Sequence, residues 1–526
     1  MKTKFISLLS LILGILFLSA CEDKLFVEQQ GTTSIESFYK TDNDANEAIT
    51  AVYLQWRSMA FNDFFLKNTL SDDLFAGGGS RGDNSNFEQL NEYRFSTSNS
   101  LVSGYFSGLY TLIYRSNLVI NNFIDDTDTK KKVIAEAKVA RGWAYFNLVT
   151  LWGSAPLVTK ELAPSEYQQP NGDVSAIWAQ VEKDLTEAAA SGALAEKSSS
   201  ADKTIGARLT KQLALAFLGK AQLFQKKYAE AAATLKLVIN SEKYSLIVNY
   251  ENVLRKVEDF GPENIFEVNS IDDADNAFNQ GTTFLGNMVG WRSDKLSLWG
   301  YYAKTHDLYP GGWGFVNPTK VLFDAFVEME GQNGYRLNAT MKTYSQVKTI
   351  GAPIAPVTIN PGASLYGHQG YFNWKWRFLG SEVVANSYGL SIHNNYRIMR
   401  YAEVLLLAAE ACLQSGDQTG ALNYINQIRT RAKLPVLTAV TLNDIKKEKR
   451  LELCVEQIRF QDLVRWGDAA TVLANQGNKV PVFDGTNITY PYTNESYGFK
   501  PGKHELLPFP EHEMGVNKNL KQNPGW

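Results

Sequence analysis

Histidine and cysteine are scarce, at five and three among 526 residues. A multi-ligand zinc framework needs several such donors at close spacing, so the chain is not organised around one. Excess charge of either sign is also missing. Fifty-two basic and 55 acidic residues leave a formal net charge of −3, which excludes a broadly electropositive nucleic-acid binder. The hydrolase patterns G-x-S-x-G and H-E-x-x-H do not occur. Apart from an apolar run of 14 residues at positions 5–18, no stretch is hydrophobic and long enough to anchor in a bilayer. At 44% hydrophobic and 20% charged, the composition excludes a disordered chain. Aromatic residues are abundant, with 28 Phe, 25 Tyr and 11 Trp.

The N-terminus reads as an address. Lys2 and Lys4 precede the apolar run, which is too short to span a membrane but suits a signal sequence. It ends in Leu18-Ser19-Ala20-Cys21, which resembles the lipobox of bacterial lipoproteins. Residues 1–20 are therefore expected to be a signal peptide, with Cys21 the lipidated first residue of the mature chain. Several acyl chains on one residue would hold it firmly at a membrane. The acidic pair Glu22-Asp23 resembles the surface-export signal of Bacteroidetes lipoproteins.

Helical periodicity dominates the mature chain. Leu213, Phe217, Ala221 and Phe224 share one helix face, and a second stripe runs through Ala232, Leu235 and Ile239. Ile398, Tyr401, Leu405, Ala408, Ala409 and Cys412 mark another helix, and Leu422, Ile425 and Ile428 mark its return. Gly219 and Ala231 are 12 apart, as are Ala409 and Ala421. Small residues at those places let paired helices approach closely, which is the tetratricopeptide logic. Helices near 132–151 and 174–190 would complete further pairs. The expected fold is mostly α: a tetratricopeptide-like scaffold of helical pairs with long loop-rich insertions and a few short strands. It forms a single domain over 21–526, with a helical region (22–246), a loop- and strand-rich region (247–397) and a C-terminal region (398–526). In the middle region Asn264–Val268 reads as a strand. The alternation of Phe372, Trp374, Trp376 and Phe378 with Asn373, Lys375 and Arg377 reads as a half-buried strand.

Several motifs reduce to structure. Gly77-Gly78-Gly79-Ser80-Arg81-Gly82 has the spacing G-x-G-x-x-G. It shows neither the incoming strand nor the outgoing helix of a dinucleotide site, and reads as a surface loop. Asp42, Asp44 and Asn46 imitate a calcium loop, but position six is Glu47 and position twelve Tyr53, so helix capping explains them. Glu448, Glu452 and Glu456 recur at helical spacing among Arg400, Arg429, Arg431, Arg450, Arg459 and Arg465. With no histidine beside them they read as inter-helix ion pairs. Cys412 and Cys454, each among apolar neighbours, read as buried reduced thiols.

One window is unusual. Between 284 and 315 lie eight aromatics, including Trp291, Trp299, Tyr301, Tyr302 and Trp313, together with six glycines. Such a segment is either a loop presenting ring faces and polar edges to a sugar, or a satellite hydrophobic cluster.

The C-terminal third resembles the SusD/RagB family of Bacteroidetes outer-membrane lipoproteins. The resemblance rests on Tyr396-Arg397-Ile398-Met399-Arg400-Tyr401-Ala402-Glu403, Ile425-Asn426-Gln427-Ile428-Arg429, Asp462-Leu463-Val464-Arg465-Trp466 and the terminal run from Leu507-Pro508-Phe509-Pro510 to Asn523-Pro524-Gly525. Arg141, Tyr145, Phe146 and Trp152-Gly153 extend it into the N-terminal half. The resemblance implies a non-enzymatic, surface-exposed binder of oligosaccharides at the outer membrane, with no catalytic residue, metal or cofactor. It also implies a partner, a SusC-type TonB-dependent transporter on which the protein sits as a lid. Rival readings are a peptide binder of the same fold and a surface glycan hydrolase. In this family the site is built from loops, which by position singles out the loop 72–83 and the segment 291–313. Arg81, Trp291, Trp299, Tyr301, Tyr302 and Trp313 are the expected ligand contacts.

Overall fold

The computed structural model describes residues 35–270, 281–297, 307, 311–350, 356–384, 391–392 and 394–526. Cys21, Trp299, Tyr301 and Tyr302 lie outside the described residues.

The molecule is mostly helical. Helices Ser100–Asn122, Asp128–Trp152, Val174–Ala190, Lys211–Phe224, Tyr228–Asn240, Tyr401–Gln414 and Gln418–Arg431 pack one against the next in that order. Local chemistry sets where they begin. Thr127, Asp173, Thr210 and Asp417 each accept a backbone N–H of the first turn, satisfying a donor that the helix leaves unpaired. Thr41 forms a full capping box with Asp44, so the calcium-like residues do cap a helix. The expected close approach is real: a Cβ placed on Gly219 would lie 2.5 Å from Leu235 Cγ. Helix Tyr228–Asn240 meets Tyr401–Gln414 directly although the whole 247–397 region intervenes. Lys236 Nζ to Asp417 Oδ2 at 2.8 Å and Lys220 Nζ to Glu403 Oε1 at 2.7 Å stitch the two halves.

Strands are short and paired antiparallel in small sheets. β1 (Leu74–Ala76) pairs with β3 (Val316–Pro318), and β2 (Asn264–Val268) with β9 (Tyr396–Arg400). β4 (Met341–Thr343) pairs with β6 (Tyr371–Asn373), and β7 (Val383–Val384) with β8 (Ser391–Ile392). β5 (Leu365–Tyr366), β10 (Lys479–Phe483) and β11 (Ile488–Thr493) form a three-stranded sheet in the order β11-β10-β5. Three sequence expectations change here. Ile398 belongs to β9, not to the helix that starts at Tyr401, because β2 offers it a ladder. The aromatic alternation is strand only as far as Asn373. There the Asn373 carboxamide accepts the Trp376 N–H and turns the chain, so Lys375 is buried with its neighbours. The glycine loop does follow a strand, β1, and precedes a helix, Ser85–Asn91. Both elements are too short to register as a pattern.

The glutamate–arginine cluster is a buried ion network. Arg400 binds Glu456 at 2.7 Å as well as Glu263, Arg431 binds Glu452 at 2.5 Å, and Arg336 binds Glu448 at 2.6 Å. The helix itself ends at Glu452. Glu456 is delivered by a turn in which Val455 and Gln457 take φ of 60°. Trp376 Nε1 donating to Val455 O and Lys375 Nζ donating to Cys454 O pin that turn. Arg450 and Arg459 reach instead to Asp72 and Asp73, fixing the stretch just before β1. Cys412 and Cys454 are buried free thiols, as expected. Among the described residues no helix is long and apolar enough to cross a membrane.

Candidate functional site

Two glycine-rich stretches far apart in sequence run side by side. The β1–β3 ladder continues past Ala76: Gly77 N donates to Phe315 O at 3.3 Å and Gly78 N to Gly314 O at 2.9 Å. Gly314 N donates in turn to Gly290 O at 2.8 Å, stacking a third strand of backbone. Side chains would not fit. A Cβ on Gly77 would lie 2.1 Å from Gly314 O, and one on Gly312 would lie 2.3 Å from the Gly290 backbone. Gly290, Gly312 and Gly314 thus serve backbone-to-backbone contact. They place the loop 77–83 against residues 290 and 312–315.

Arg292 ties the same two stretches by charge. Its guanidinium lies 3.6 Å from Asp83 and 2.6 Å from Asp294, and donates to Trp313 O at 3.4 Å. Asp83 also accepts the Gly79 N–H at 2.7 Å, which closes the loop. Asp83 and Asp294 remain exposed, giving a rim of carboxylates that can accept hydrogen bonds from hydroxyls.

Arg81 stands at the other end of this loop. Its Nη2 donates to Glu92 Oε2 at 2.8 Å, its Nη1 donates to Tyr366 Oη at 2.9 Å and to Glu92 Oε1, and its Nε lies 3.5 Å from Glu88. The hydrogen bonds to Glu92 lead in raising its pKa above the usual arginine range, so it is permanently charged. Its guanidinium also lies 5.3 Å from the ring centre of Tyr492, which meets Tyr366 edge-on at 5.8 Å. Tyr490 and Tyr492 of β11 keep 42% and 38% of their surface exposed, and Gln369 Nε2 donates to Tyr490 Oη at 3.3 Å. His368 is buried against Phe372 and Phe483, which pushes its pKa down to about 3 and keeps it neutral.

The expected contacts separate on this surface. Gly77, Gly78 and Asp83 of the loop meet residues 292 and 314–315, while Arg81 turns away from them toward Glu92 and Tyr366. Trp291 is 6% exposed and donates Nε1 to Asn373 O at 3.0 Å while packing on Phe372 and Trp374, so its ring belongs to a small core under the loop. Trp313 is half-buried against the main core. Arg81 is engaged by Glu92 and Tyr366 and holds Tyr492 in place rather than offering a free fork. The tyrosine ribbon of β11 was missed by sequence reasoning. Its signal, Tyr490-Pro491-Tyr492 in an otherwise polar run, lies far down the chain from both loops and became visible only through pairing with β10 and β5.

The described residues contain no cluster of histidine, cysteine or carboxylates able to hold a metal ion. The acidic groups at helical spacing are consumed by arginines. What remains exposed is a neutral-to-acidic surface of ring faces and hydrogen-bonding groups, built on loops. A profile of the SusD family matches residues 262–526, and one described as SusD-like, "starch-binding associating with outer membrane", matches residues 28–223. The chain belongs to the SusD family. It is 26% identical to SusD-like protein P2 of Formosa agariphila, covering 100% of this chain and 99% of that protein. A solved laminarin-binding SusD-like protein is 30% identical with a TM-score of 0.77, covering 93% of this chain and 100% of that one. Surface glycan-binding protein A of Bacteroides thetaiotaomicron, solved with laminarihexaose, superposes with a TM-score of 0.74 over 92% of this chain and 100% of that one. At 23% identity that likeness speaks for the fold alone.

Proposed function

We propose that this SusD-family protein captures a neutral oligosaccharide of the laminarin type at the cell surface and passes it to a SusC-type transporter, without turning it over. The observation that carries the reading is the full-length similarity to a laminarin-binding SusD-like protein, coupled to an exposed tyrosine ribbon beside two loop segments. A neutral sugar offers ring faces and hydroxyls. Tyr490 and Tyr492 supply stacking surfaces, while Asp83, Asp294 and Arg292 supply polar groups. Trp299, Tyr301 and Tyr302, proposed from the sequence, fall within the segment 291–313 and are proposed to add further ring faces. Anchoring through Cys21 would hold the protein at the outer membrane, where the transporter lies.

Electrophoresis of the soluble chain through gels containing laminarin, beside gels containing starch or a charged polysaccharide, tests the ligand class. Selective retardation by laminarin, with no release of shorter sugars on incubation, is expected. Unretarded migration in every gel, or product formation, would refute the reading. Co-purification of a barrel transporter with the tagged lipoprotein from solubilised outer membranes tests the partner.

A further inference from the structure

A cavity of about 660 Å³ opens beside the tyrosine ribbon, and the site described so far does not use it. It shares one wall with the ribbon: Gln369, which bonds Tyr490, also lines the cavity. Leu74 and Ala76 of β1 point into the core, so Phe75 between them points outward. It lines the cavity half-exposed, and its ring meets no other aromatic ring among the described residues. Opposite lie Asn475, Gln476 and Asn478. Asn478 is only 6% exposed, and its Oδ1 has no hydrogen-bond partner. Its Nδ2 donates to Asn475 Oδ1 at 3.3 Å, which ties this wall together.

Charge narrows the ligand. Arg450 and Arg459 line the cavity but are both spent on Asp72, at 2.7 and 2.8 Å, and Arg450 also binds Asp73. Lys479 and Glu495 add one exposed charge of each sign. Three cations face two carboxylates in the lining, but both arginines are already paired and Asp73 lies buried behind Arg450, so no cation cluster is left free for a phosphate and an uncharged molecule rich in hydroxyls suits the cavity better. Gln476 Nε2 is held by Leu74 O and Asn475 Oδ1 by Asn478, which leaves Asn475 Nδ2 and Gln476 Oε1 beside the Phe75 ring, an aromatic face with polar groups of the kind a pyranose ring requires.

We propose that this cavity is a second carbohydrate subsite, taking a neutral sugar residue of the same chain whose other end rests on the Tyr490–Tyr492 ribbon. The inference rests on the proposed function and adds to it a minimum ligand length: short oligomers occupy the ribbon alone, and longer ones reach past Gln369 to Phe75.

Calorimetric titration of the wild-type soluble chain, Phe75→Ala and Gln476→Ala with laminaritriose and with laminarihexaose tests this. The wild type should bind the hexaose at least about tenfold more tightly than the triose, since one aromatic stacking contact carries roughly that factor. Both variants should bind the two oligomers about equally and keep the wild-type affinity for the triose. Gln476 is a half-exposed position, so that variant decides the matter if Phe75→Ala does not fold. A wild type without length dependence, or variants that retain it, overturns the second subsite while leaving the proposed function standing. A wild type that binds neither oligomer overturns the proposed function, and this inference falls with it.

Discussion

Arg81 and Tyr492 come from opposite ends of the chain, yet the guanidinium sits 5.3 Å from the ring centre of the tyrosine. Two glutamates and Tyr366 fix the arginine, so the arginine fixes the ring. Arg81→Ala should release Tyr492 and weaken glycan binding by a factor comparable to that of losing the tyrosine itself. Arg81→Lys should rescue it only partly, because an ammonium cannot bond Glu92 and Tyr366 in one plane. Affinities by calorimetry for both variants check this; full rescue by lysine would show that charge alone suffices.

Glu452 is a structural carboxylate, and pH should reveal it. Burial pushes its pKa up, but Arg431, Arg400 and Arg336 outweigh that and hold it at about 2, below the ordinary 4.5. The stabilisation it contributes is fully present above about pH 4.5 and is lost as pH falls toward 2. Glu452→Ala should cost about 3 to 5 kcal/mol by stranding buried arginines, without selectively abolishing ligand binding. Thermal melts from neutral to acid pH test both points. A variant of native stability that no longer binds glycan would move this residue into the functional site.

The helical scaffold depends on Gly219. A side chain there meets Leu235 at once, so Gly219→Leu should destabilise the protein by about 1 to 3 kcal/mol through overpacking. Denaturant titration measures it. A variant as stable as the wild type would mean the helices can separate at no cost.

Anchoring is tested by Cys21→Ala. The expected outcome is a folded protein lost from salt-washed membranes, because no other hydrophobic run in the sequence is long enough to hold it. Retention in the membrane fraction would point to another means of attachment.

The scaffold was legible because it is local. Periodicity, caps and the Gly219–Ala231 and Ala409–Ala421 spacings each act within one or two helices. The ion network was legible in kind but not in partners: Arg450 and Arg459 bind Asp72, which nothing in the neighbouring sequence indicates. The site was legible only in part. Dense aromatics and glycines marked the segment 291–313. Density cannot say which ring is buried, however, and Trp291 is, because the Asn373 carbonyl and the rings of Phe372 and Trp374 receive it. Tyr490 and Tyr492 escaped because two tyrosines in a polar hairpin have no meaning until the partner strands are known.

The measurement that bears most directly on the account is calorimetric titration of the soluble wild-type chain and of Tyr492→Ala with laminarihexaose. Saturable binding by the wild type is predicted. Tyr492→Ala should lose about 1 to 3 kcal/mol, a tenfold or greater fall in affinity, at an unchanged melting temperature. Absence of saturable binding by the wild type, or a Tyr492→Ala chain that binds as tightly, would contradict it.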